Sequence, residues 1–167
     1  MATRTVLVSQ KGTASAARNT FWAIASEDIT LGDVVCFDIS KAAGTRADGW
    51  DGQNGDYKYV LRSDIANINS AVPAGVALST VDSGAVVEVC FWGEVAVRVD
   101  GTTDIVAGDH LIISAAAGVA ITQTLDPTSA ALLKASLKAQ EIGIALEAYT
   151  DTAIVTKSVF VRLPRPD

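Results

Sequence analysis

The sequence predicts a mainly β protein, a barrel-like sandwich of two related halves with one short helix. Three observations predict it. Apolar and polar residues alternate over long runs, glycine- and aspartate-rich turn words stand where the runs stop, and one set of short words occurs twice in the same order.

The alternation is clearest from Val86 to Asp100. Val87, Val89, Phe91, Val95, Val97 and Val99 fall on one face, and Glu88, Glu94, Arg98 and Asp100 on the other. A run this long exceeds the ordinary strand, so Gly93 near its middle predicts a bend or bulge. A second alternating strand is expected over Leu31–Ser40. A third closes the chain, with Val155, Val159, Val161 and Leu163 inward and Thr156, Ser158 and Arg162 outward. Shorter strands are expected at Thr3–Ser9, Tyr57–Arg62, His110–Ser114, Val119–Thr122 and Ile142–Glu147. Asp82-Ser83-Gly84, Asp100-Gly101, Ala107-Gly108-Asp109 and Ala117-Gly118 supply the turns between them. One helix is expected near residues 128–140, where Asp126 can cap it, Pro127 suits its first position, and Ala130, Leu133 and Leu137 follow at helical spacing. Thr13–Ala25 reads either as an alanine-rich helix or as an extended arm. Lys41–Asp56 is a long Gly- and Asp-rich connection around Trp50.

The repeated words are Leu31-Gly32-Asp33-Val34 with Gly75-Val76-Ala77-Leu78, and Ala107-Gly108-Asp109-His110 with Gly143-Ile144-Ala145-Leu146. The Gly-Asp sites lie 76 residues apart and the Gly-x-Ala-Leu sites 68 apart, each pair followed by a valine-rich strand. Gly-Asp suits a tight turn that launches a strand, because glycine accepts positive φ and aspartate bonds the local backbone. Gly-x-Ala-Leu suits a strand against which another backbone packs closely. Gly32, Asp33, Gly75, Gly108, Asp109 and Gly143 are therefore taken as structural turn and strand positions of a doubled β unit.

Composition narrows the function. Thirteen basic against nineteen acidic residues give a net charge of −6, and the basic residues form no stripe, which argues against nucleic acid as a partner. No apolar run reaches the roughly 18 residues of a membrane span. The first residues are too short an apolar stretch for a signal peptide, so the chain is expected to be made in the cytosol. Cys36 and Cys90 sit inside strand-like runs without CxxC spacing and read as small core residues. His110 is the single histidine and has no ligand-spaced companions. Asp48, Asp51, Asn54 and Asp56 do not follow the spacing of a calcium loop. Phosphate-binding glycine loops and a nucleophile elbow are absent. No catalytic residue, metal site or cofactor is assigned, and the chain is expected not to be an enzyme.

In the second half, Gly93-Glu94-Val95-Ala96-Val97 precedes Asp104-Ile105-Val106-Ala107-Gly108-Asp109 and Gly118-Val119-Ala120. Glu141-Ile142-Gly143-Ile144-Ala145-Leu146-Glu147-Ala148 and Val159-Phe160-Val161-Arg162-Leu163 then follow. This order resembles the small head decoration, or capsid cement, proteins of tailed phages, over roughly residues 85–163 and more weakly over 26–80. The resemblance implies a β-tulip or related barrel and a homo-oligomer, most often a trimer. It places the protein on the outer capsid surface of the virion, where it clamps the phage major capsid protein. The Lys41–Asp56 loop and the 127–140 helix depart from the family pattern.

Domain organisation follows, with residues 26–167 as one globular β domain and residues 1–25 as either an arm or a first strand. Arg4, Lys11 and Arg18 precede the first acidic residue, Glu27, and Phe21-Trp22 adds an apolar anchor. These five residues are the candidate capsid contacts if the segment is an arm. If it is an ordinary strand, Thr3–Ser9 pairs into the barrel and Trp22 enters the core. A rival reading makes the chain a receptor- or carbohydrate-binding domain of a phage particle, with Trp50 and Tyr57 as a stacking platform.

Overall fold

The computed structural model describes residues 18–38, 40, 58–64, 72–123 and 140–163. They form nine strands: β1 (Asn19–Ala25), β2 (Val34–Phe37), β3 (Lys58–Arg62), β4 (Pro73–Ala77), β5 (Val86–Asp100), β6 (His110–Ile113), β7 (Ala120–Thr122), β8 (Glu141–Ala145) and β9 (Ile154–Arg162). The fold is mainly β, as expected. The expected Thr3–Ser9 strand and the 128–140 helix lie outside the described residues.

The strands follow the order β1-β3-β2-β4-β5-β7-β6-β8-β9, and β5 also pairs with both β1 and β9. Those two extra pairings close two circuits. One barrel is β1-β3-β2-β4-β5 and the other is β5-β7-β6-β8-β9, with β5 common to both. The fifteen-residue β5 does this by changing partners midway. Trp22 to Ile24 pair with Glu88 to Val86 along its first half, while Glu94 to Asp100 pair with Phe160 to Ile154 along its second. Gly93 stands at the changeover with φ 117°, a conformation that favours glycine.

The doubled sequence words are a doubled structure. Gly32 N–H donates to Ala77 O at 2.9 Å and Gly108 N–H to Ala145 O at 2.8 Å. Ala77 N–H returns to Asp33 O, and Ala145 N–H to Asp109 O, both at 2.9 Å. The aspartate side chains tie their own turns, Asp33 Oδ2 accepting from Thr30 N–H at 2.7 Å and Asp109 Oδ2 from Val106 N–H at 2.8 Å. The glycines of the Gly-x-Ala-Leu words are small for the same reason in each barrel. A Cβ at Gly75 would stand 2.3 Å from Cys90 O, and one at Gly143 2.3 Å from Phe160 O.

The first barrel encloses Ala23, Ala25, Val35, Val60, Ala77, Val87 and Val89. The second encloses Val95, Val97, Val99, Leu111, Ile113, Ile142, Val159 and Val161, and its cluster also takes in Val34, Cys36, Val76 and Cys90 from the first barrel's strands. This corrects one expectation. Leu31–Ser40 is not one long two-faced strand: Leu31 and Gly32 form a turn, and Val34, Val35 and Cys36 are all buried because one barrel claims each side of β2. Cys90 stands on the outward series of β5 and is a buried core residue, as expected, for the same reason.

The seam is polar at one point. Asp33 is fully buried, and its Oδ1 accepts from Arg98 Nη1 at 2.5 Å. The Arg98 N–H donates to Gly32 O at 2.9 Å. Beside them Gly118, at φ 74°, enters the fork between β2 and β3. Val34 N–H donates to Gly118 O at 2.9 Å, and Gly118 N–H to Ser63 O at 2.8 Å.

Candidate binding face

Each of the nine strands has a hydrogen-bonded neighbour on both sides. A partner therefore meets side chains rather than a sheet edge. The outward series of β1, β5 and β9 carries the exposed aromatics Trp22 and Trp92. Trp22 on β1 is 54% exposed and lies opposite Glu88; Trp92 on β5 is 44% exposed. Four residues of extended chain set the two indoles about 13 Å apart along the sheet. Between them Thr20 Oγ1 donates to Glu88 Oε1 at 2.7 Å, and just past Trp92 Arg18 Nε donates to Glu94 O at 2.6 Å. Phe160 on β9 holds Trp92 edge-on, with ring centroids 5.5 Å apart.

Beyond Trp92 the surface becomes charged. Arg162, directly across from Trp92, donates from Nε to Glu141 Oε1 at 3.0 Å and also from Nη2, and His110 Nδ1 lies 3.0 Å from the same oxygen. Burial pushes the Glu141 carboxyl up, but hydrogen bonds from Arg162 and His110 outweigh it and hold the group below its ordinary value. A depressed folded-state pKa contributes stability that is present above the unfolded carboxylate value and is lost as pH falls through the folded one. Glu141→Gln is therefore expected to flatten part of the acid limb of a stability–pH curve. Parallel curves for the two proteins below pH 5, roughly the foot of the carboxylate range, would show that Glu141 is not coupled to folding.

Of the residues singled out in the sequence, Arg4, Lys11, Trp50 and Tyr57 lie outside the described residues. Arg18 is exposed and anchored on β5. Phe21 faces inward, stacked on Phe37 at 6.0 Å and tilted against Phe91 at 6.1 Å, so it belongs to the core. Trp22 alone of that pair faces solvent. Gly32 and Asp33 lie at the barrel seam, Gly75 and Gly143 inside β4 and β8, and Gly108 and Asp109 in an open turn. Cys36 and Cys90 are free, buried thiols whose pKa burial raises. Among the described residues no group of His, Cys, Asp and Glu is placed to hold a metal ion.

Sequence reasoning missed Trp92, Phe160, Arg162 and Glu141 as one surface. Trp92 was legible as an aromatic interrupting the polar series of β5. Its neighbours were not, because only the β5–β9 register of Trp92 with Arg162 brings residues 70 apart together.

No protein-family model and no curated protein matches this chain. Among solved structures it is similar to the head fiber gp8.5 N base of bacteriophage phi29, at 20% sequence identity and a TM-score of 0.48, over 89% of this chain and 100% of that one.

Proposed function

We propose that this chain is a structural, non-enzymatic decoration protein that binds the outside of an assembled phage head and stabilises the major capsid protein lattice. The observation that carries the reading is the face that holds Trp22 and Trp92, two half-exposed indoles with Arg18 and Arg162 fixed beside them on the outside of a closed double barrel. Tryptophan and arginine dominate the energetics of protein interfaces, and both arginines are already held in place, so little conformational freedom is lost on docking. The order of second-half words shared with the decoration family supports the same job and a trimeric form.

A protein that binds only the assembled lattice stabilises it by mass action, and many copies bridging several subunits add to the effect. None of this needs chemistry at the site. The double variant Trp22→Ala/Trp92→Ala is expected to stay folded with a lowered melting temperature, from the lost Trp92–Phe160 contact and the half-buried ring area, and to bind expanded heads at least tenfold more weakly, about 1.4 kcal/mol. Deleting residues 2–17 leaves β1 in place and tests the Arg4 and Lys11 contacts separately. A wild-type protein that does not co-sediment with heads of its own phage would remove the reading. A double variant that binds as tightly as wild type would move the contact to another face.

A further inference from the structure

The outer wall of the first barrel carries a carboxylate without a counter-charge among the described residues. Three glutamates are half-buried, Glu27, Glu88 and Glu141. Glu27 pairs with Arg62 at 3.2 Å, and Glu141 pairs with Arg162 and His110. Glu88 pairs with no cation among the described residues, and the hydrogen bond its side chain accepts there comes from Thr20. Partial burial strips water from a carboxylate, so an added cation at this place is favoured.

The surroundings of Glu88 select the cation. Glu88 lies directly opposite Trp22 in the β1–β5 ladder, which sets their Cβ atoms roughly 5 Å apart. The Trp22 indole is 54% exposed. At the next outward pair, half-buried Ile24 faces exposed Val86 and continues the wall as an apolar shelf. The site is held in place before anything binds. β5 is bonded to β1 on one side and to β4 on the other, where Leu78 N–H donates to Glu88 O at 2.9 Å, and Thr20 fixes the carboxylate itself. An exposed indole beside a carboxylate suits a guanidinium, which stacks on the ring while it donates in its own plane to the oxygen. Its methylene stem then lies on the Ile24–Val86 shelf.

We infer that Trp22 and Glu88 form a receptor for an arginine side chain of the protein that this face docks against. The inference rests on the reading of the face as the head-binding surface and names what the capsid protein presents to it. Charge complementarity favours a different protein over a second copy. With 13 basic and 19 acidic residues, two copies would meet with a net charge of −6 on each side, whereas an arginine offered by the lattice neutralises Glu88.

Glu88→Gln tests this, because the amide keeps an oxygen for Thr20 and removes only the charge. The variant is expected to stay folded and to bind heads about tenfold more weakly than wild type. Added salt should weaken wild-type binding more than that of the variant. A second measurement needs no heads. The full chain, isotope-labelled, is titrated with an acetyl-Gly-Arg-Gly-amide peptide, and the Trp22 indole N–H and the Thr20 and Glu88 amides should shift. The same peptide with citrulline, which has the shape without the charge, should leave them in place, as should the arginine peptide added to Glu88→Gln. A Glu88→Gln protein that binds heads as tightly as wild type overturns the inference. So does an arginine peptide that shifts these signals no more than the citrulline one. If the wild-type protein does not bind heads, the head-binding reading falls, and the arginine receptor stands or falls on the peptide titration alone. A change in the sedimentation of the free protein on Glu88→Gln would make the occupant a second copy and overturn the assignment to a different protein.

Discussion

Arg98→Met is expected to cost about 3–5 kcal/mol, because it strands a carboxylate in the protein interior. Asp33 is fully buried, and its Oδ1 faces the Arg98 guanidinium while Oδ2 caps the Thr30 N–H. Without the guanidinium the charge keeps one backbone donor. The double variant Asp33→Asn/Arg98→Met removes the charge with its partner and should recover a large part of the loss, since a buried ion pair contributes little net stability over neutral residues that fill the same space. Urea unfolding of the four proteins forms a double-mutant cycle. A single-variant loss below 1 kcal/mol, well under the range for a broken buried pair, would show that the seam hydrates freely. The wild-type transition should also be single. β5 belongs to both barrels, so neither can open without removing a wall from the other.

Gly143→Val is the second large effect, expected at about 3 kcal/mol or more of destabilisation. The atoms that a new Cβ meets are Phe160 O and Val161 Cα, at 2.3 and 2.9 Å. Both are backbone, held in the β8–β9 ladder, and cannot swing aside as a side-chain tip would. Gly75→Val should behave alike, with Cys90 O at 2.3 Å. Gly108→Ala provides the contrast. Its turn is open, so only the positive φ of 99° opposes the substitution, at about 1–2 kcal/mol. If all three substitutions cost the same, close approach of the backbone is not what keeps glycine in β4 and β8.

The sequence by itself determined that the protein is mainly β, where β5 and β9 run and which of their faces point inward. Side chains in a strand alternate by geometry alone, so Val87 to Val99 and Val155 to Leu163 announce their buried faces without reference to any partner. It also determined the doubling, because the Gly-Asp turn and the Gly-x-Ala-Leu strand are local requirements of φ and of space. What only the tertiary structure decided is what lies outside each strand. Cys90 and Trp92 both stand on the outward series of β5, and one is buried while the other is exposed, because the second barrel packs over the first at Val34, Cys36 and Val76 and leaves Trp92 clear. Phe21 and Trp22, adjacent in sequence, part in the same way, one into the core and one into solvent. Arg98 was legible only as a charge on a strand, and Asp33 only as a turn residue. Their pairing spans 65 residues and exists because β5 changes partners at Gly93, a contact between barrels that no local pattern encodes.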